Sequence, residues 1–185
     1  MAMGLKKYVN DYRNEYIIKP NGKPGMIAIY KGKYFRFVAD EASIKKAKVR
    51  FSILSVTALI LTVIPLIYKS VGADTLYVAL PHVIAFFPLV HLLMGVWSFI
   101  YRKPPFIREF NDKIKTRTTA SSAISMSILG ATAIAEAVTC VISGFPFPDV
   151  IYFLILSAAA VATGAIFFSR GVLETEESDE HGEKK

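Results

Sequence analysis

The sequence predicts an all-α polytopic membrane protein, with four transmembrane helices behind a small cytoplasmic N-terminal segment that contains a β-hairpin. Three observations predict it. Hydrophobic residues make up 53% of the chain and gather into four runs, 51–68, 76–101, 118–142 and 150–169. Each run approaches the roughly 20 apolar residues that an α-helix needs to cross a hydrocarbon core about 30 Å thick. Within the four runs Glu136 is the only Asp, Glu, Lys or Arg. Helices that are apolar all round offer no face to water, so a soluble bundle built from these runs would carry an exterior that suits lipid alone.

Charge orients the spans. Residues 1–50 hold 12 Lys/Arg against 4 Asp/Glu, and the connection 102–117 holds 6 against 2. Connections 69–75 and 143–149 carry only Lys69, Asp74 and Asp149. Lys and Arg mark the cytoplasmic side. The N-terminal segment and the central connection are therefore expected inside and the two short turns outside. The C-terminus follows inside by parity. The same basic segments suit anionic lipid headgroups at the inner leaflet. No nucleic-acid-binding module accompanies them, so nucleic acid is not expected as a partner. The first apolar run begins near residue 51, which suits an uncleaved signal anchor and no cleaved secretory signal. The compact loops suit a prokaryotic inner (plasma) membrane.

The first expected unit is residues 1–50. Met26–Tyr30 and Tyr34–Val38 are β-rich, and Lys31-Gly32-Lys33 between them reads as a hairpin loop. A run at Tyr16–Lys19 offers a third strand, with turns at Asn21-Gly22 and Pro24-Gly25. Such a ribbon is too small to be stable alone. Asp40 reads as the N-cap of a helix that starts near Glu41 and continues into the first span.

The second unit is the membrane domain, 51–170. Pro65 lies near the outer end of the first span, and Pro81 and Pro88 should bend the second. In the central connection, Phe106, Ile107, Phe110 and Ile114 fall on one face after Pro104-Pro105, which suits a short interfacial helix. Small residues repeat every four positions in the third span at Ala123, Ser127, Ala131, Ala135 and Thr139. The fourth span has Ala158 and Ala162, and also Ala160 and Gly164. Such stripes let helices approach closely, and packing of spans three and four is preferred over an oligomer interface. Trp97, Tyr68 and Tyr101 read as interfacial anchors. The third unit, 171–185, is acidic and poor in apolar residues, and is expected to be disordered.

Glu136 is the leading candidate site, because an ionisable residue inside a span is costly and marks function by default. Counting from the outer turns places Glu136 and His82 at similar depth, and neighbouring second and third spans would let them meet. Thr132, Thr139 and Cys140 stand three or four residues from Glu136 and share its face. The cluster is either packing glue, with Glu136 bonded to His82 or to a hydroxyl such as Thr62, or a site for a proton, a cation or a cationic substrate. His91, nine residues from His82, points the opposite way and should reach a hydroxyl of another span. His82, Glu136, Cys140 and Asp74 show no metal-ligand spacing, so no metal and no cofactor are expected. The single cysteine excludes an intramolecular disulfide. Motifs for nucleophilic, zinc or nucleotide chemistry are missing.

The expected function is interaction: an accessory subunit of a membrane assembly, whose partner is another protein or a second copy of the chain. The alternative is a small oligomeric transporter or channel that uses the intramembrane carboxylate Glu136.

Overall fold

A computed structural model describes residues 8–18, 24–67 and 69–179. The expected turn at Asn21-Gly22, the anchor Tyr68 and the tail from residue 180 lie outside them. Four helices are long and apolar enough to cross a membrane. Helix α1 spans Glu41–Val63 and runs on as a 3-10 turn, Ile64–Ile67. A short helix α2, Val71–Asp74, precedes α3, Leu76–Tyr101. Helix α4 covers Arg108–Ile142 and α5 covers Phe147–Phe168. Neighbours in the bundle are α1 and α3, α3 and α4, α4 and α5, and α5 and α1, which closes a ring. Phe51, Leu89, Phe99, Leu129, Leu156 and Ile166 fill its interior. Large apolar side chains such as Ile53, Phe87, Trp97 and Val161 cover its outside, as a lipid-facing bundle requires.

Local chemistry explains the element ends. The Asp40 carboxylate accepts the Ser43 N–H at 3.0 Å, which fulfils the expected N-cap. From there α1 runs unbroken from the charged segment into the first apolar run. Lys48 in α1 donates to the Ile100 carbonyl at 3.0 Å, so a cation caps the C-terminal end of α3. Just past the end of α4 stands Gly144, whose φ is 75°. There Phe145 N–H reaches back to the Cys140 carbonyl at 2.8 Å, closing the turn into α5. Where α3 crosses α4, a Cβ on Gly95 would lie 2.9 Å from the Thr118 backbone nitrogen, so only glycine permits that approach.

Several expectations are corrected. Strand β2 (Pro24–Tyr30) pairs with β1 (Tyr12–Ile18), in the register Tyr12↔Tyr30 and Tyr16↔Met26, and not with β3 (Tyr34–Phe37). The sequence Lys31-Gly32-Lys33 therefore links two sheets and is no hairpin loop. Strand β3 lies instead between β4 (Phe106–Ile107) and β5 (Thr175–Ser178). Hydrophobic burial decides this pairing. Phe37 sits against Phe99 and Phe106, at centroid distances of 5.3 and 5.0 Å, and a pairing with β2 would leave it in water.

The segment expected as a separate interfacial helix is the first part of α4. Nothing between Arg108 and Ile142 breaks a helix except the tolerated Gly130. At ~1.5 Å per residue the 35 residues run about 52 Å, well past a hydrocarbon core of about 30 Å. The charged first turns project beyond the apolar zone. The tail is ordered through Asp179, because β5 carries its acidic residues to a basic strand. Arg36 pairs with Glu176 at 2.9 Å and Lys33 with Glu177 at 2.5 Å. Thr175 donates to Asn111 of α4 at 2.9 Å.

The small-residue stripe of span three is also out of phase. Ser127 and Ala131 are exposed. The buried seam of α4 is Asn111, Ile114, Thr118, Ser121, Ser125, Leu129, Thr132, Glu136 and Thr139, spaced by three or four residues. In α5, Ala162 and Gly164 are buried, whereas Ala158 is exposed.

Candidate functional site

The apolar ring surrounds a polar cluster at the end of the bundle opposite the three-stranded sheet. The five residues singled out from sequence all face inward: Glu136, His82 and Thr132 are fully buried, and Thr139 and Cys140 nearly so. His91 is exposed and bonds the Phe87 carbonyl of its own helix at 3.0 Å, in place of a hydroxyl on another span.

The structure pairs these residues differently from the sequence reading. His82 does not bond Glu136. Its Nε2 lies 2.8 Å from the Thr62 carbonyl and its Nδ1 lies 2.6 Å from the Tyr152 hydroxyl. A carbonyl only accepts, so Nε2 carries the hydrogen, and in the neutral ring Nδ1 accepts from Tyr152. The α-to-3-10 change at Pro65 explains why a carbonyl of α1 takes a side-chain donor, since proline supplies no N–H. Thr62 contributes that carbonyl, while its hydroxyl donates to Ala58 of the same helix at 2.7 Å. His82 thereby ties α1 to α5 across the ring.

Glu136 and Asp149 share a neighbour, Gly72. Both carboxyls are buried, and Asp149 Oδ1 accepts the Gly72 N–H at 3.0 Å. Gly72 lies against the Glu136 carboxyl so closely that a Cβ there would overlap it. No donor reaches either oxygen of Glu136 or Asp149 Oδ2. Two like charges held together away from water repel, so the pair is suited to hold a cation or a proton.

The hydroxyls nearby are occupied. Thr132 donates to Ile128 at 2.8 Å and Thr139 to Ala135 at 3.1 Å. The Tyr77 hydroxyl lies 2.8 Å from Thr139 Oγ1 and therefore donates to it. Cys140 is buried one helical turn beyond Glu136 on α4. Asp149, Tyr152 and Gly72 were missed from sequence, because Asp149 counted as a turn charge. Its spacing from Tyr152, three residues along a helix that opens at Phe147-Pro148, was the available signal.

A second feature stands at the sheet end. Among the described residues the ribbon of β1 and β2 has two strands, and each has one backbone edge that no other strand pairs. Tyr16, Ile18 and Met26 share one face, and they are 77%, 80% and 58% exposed. Tyr30 anchors the ribbon by packing on Tyr34 at 5.2 Å and accepting the Arg108 N–H at 3.1 Å.

No family model, curated protein or solved structure matches this chain.

Proposed function

We propose that the chain is a multi-pass membrane protein that acts by interaction, as an accessory subunit of a membrane assembly, with both termini in the cytoplasm. The observation that carries this is the β1–β2 ribbon. A two-stranded ribbon is marginal by itself, yet this one turns an aromatic and aliphatic patch, Tyr16, Ile18 and Met26, to solvent. Open strand edges beside such a patch suit a protein that adds a strand, since lipid headgroups do not continue a backbone ladder. The basic residues of 1–50 and 102–117 then set the sidedness and meet anionic headgroups.

The test is cross-linking and co-purification in mild detergent of the wild type and the double variant Tyr16→Lys/Ile18→Lys. Loss of a stoichiometric protein partner in the variant is the expected result. A ribbon that instead binds vesicles containing anionic lipid, with no protein captured, overturns the reading.

The buried carboxyl pair favours a second reading, transport of a proton or cation by an oligomer. Flux through proteoliposomes that is lost in Glu136→Gln, with the fold retained, would select it.

A further inference from the structure

Glu136 and Asp149 are buried beside Gly72 with unsatisfied carboxyl oxygens. Of the four carboxyl oxygens, only Asp149 Oδ1 has a donor, the Gly72 N–H. Glu136 is wholly buried, and no Lys or Arg is buried among the described residues. Asp149 also lies in the first turn of α5, where the free N–H groups of the helix favour negative charge.

We propose that Glu136 and Asp149 form a binding site for a single proton, closed from the far side by the α2 segment at Gly72. Glu136 is the acid. Its O–H donates to Asp149 Oδ2, and Asp149 is the carboxylate, held by the Gly72 N–H. One hydrogen thus satisfies Asp149 Oδ2 and gives the buried acid group a partner. Release breaks one O–H bond, and the proton passes to water on the far side as α2 lifts. No other bond changes.

The remaining groups around the pair leave this assignment intact. Helix α2 presents the Gly72 backbone, while its Asp74 is exposed. Helix α3 presents His82 and Tyr77, already engaged with Thr62, Tyr152 and Thr139. Helix α4 adds Cys140, α5 adds Tyr152, and α1 offers the Thr62 carbonyl. None is a fixed cation. Loss of the proton leaves two like charges in apolar surroundings under Gly72, so it forces α2 away. The inference holds whichever partner the ribbon takes.

Cys140 makes the movement measurable, since it is the only cysteine in the chain and is buried on the Glu136 face. The experiment follows labelling of Cys140 by a maleimide in the full-length protein, from mildly acidic to mildly alkaline pH. It compares the wild type, Glu136→Gln and Gly72→Ala. Glutamine keeps a donor toward Asp149 without a titrating proton. Dividing the wild-type rate by the Glu136→Gln rate at each pH removes the common rise in thiolate with pH, and a new negative charge at Glu136 disfavours the neighbouring thiolate, so a rise in the ratio reports opening. The ratio is expected to be near one at acidic pH and then to rise by about tenfold per pH unit once the proton leaves. Gly72→Ala, which wedges α2 against the carboxyl, should label fast at every pH. A ratio that stays flat overturns the gating, as does protection by sodium ions at constant pH, which would mean a metal cation fills the site. Infrared spectroscopy of the wild type and Glu136→Gln gives a readout independent of labelling. A protonated-carboxyl band present in the first and missing from the second is expected, and its absence from the wild type overturns the assignment.

Discussion

His82 shows how one side chain can close a helical ring. It satisfies a carbonyl released beside Pro65 and a buried tyrosine hydroxyl together, each within 2.8 Å. Tyr152→Phe leaves Nδ1 without its donor and should cost about 1–3 kcal/mol, the penalty of one buried unsatisfied group. His82→Phe strands both the Thr62 carbonyl and the Tyr152 hydroxyl and should cost more. The double variant should fall short of the sum, because the two changes remove a shared bond. Denaturant or thermal unfolding in detergent checks the series, and additive losses would argue against the shared bond. Asp40 gives a pH prediction of known sign. Hydrogen bonds from the Ser43 side chain and backbone hold its carboxyl below the usual carboxylate range. The cap therefore contributes fully above the ordinary Asp titration and is lost as pH falls through the lowered value. Amide exchange in the first turn of α1 should quicken at acidic pH in the wild type, and at every pH in Asp40→Ala. Asp40 was legible in the sequence because a cap is local. The partners of His82 were not, because they come from Thr62 and Tyr152, which the chain brings together only once the ring has closed.

The tail strand illustrates the same division between local and distant causes. Its composition is that of a disordered segment, and only the register of β5 on β3 reveals the opposite charges at Arg36 and Lys33. Leu173, just before β5, is buried in the common core. Leu173→Ala should cost about 2–5 kcal/mol, as buried Leu truncations do. Glu176→Arg should cost far less, since this partly exposed pair is worth roughly 0.2–1 kcal/mol, and Arg36→Glu added to it should restore the loss. Melting curves of the three variants decide the point: equal losses for Leu173→Ala and Glu176→Arg would mean that charge, and not burial, holds the tail. The apolar runs predicted the four helices because a span is written in consecutive residues. The phase of the α4 seam was misread because alanine and serine look alike as small residues. The buried face is instead marked by Thr118, Ser125, Thr132 and Glu136, whose polarity suits a protein interior better than a lipid face.

Taken whole, the molecule has two unequal ends. At one, segments from near each terminus and the central connection meet in a single sheet, with β3 between β4 and β5. At the other, the short helix α2 meets the first turn of α5 where Gly72 bonds Asp149. Among the described residues the ribbon adds none to the buried core, which begins at Phe37, so ribbon and bundle should be separable. Deleting residues 1–29 removes β1 and most of β2 but leaves Tyr30, its packing on Tyr34 and its bond to Arg108. The bundle should then melt close to the wild-type temperature, while the protein partner proposed for the ribbon is lost. Deleting residues 170–185 removes Leu173 and β5, strips β3 of one neighbour and should lower the melting temperature clearly. The order of the two deletions carries the test. If the N-terminal deletion were the more damaging, the ribbon would be part of the stabilising structure, and its exposed Tyr16, Ile18 and Met26 would need a cover within the same protein, such as a second copy. If it is silent for stability but abolishes association, the bundle is the anchor and the ribbon the docking element, each folded for its own solvent.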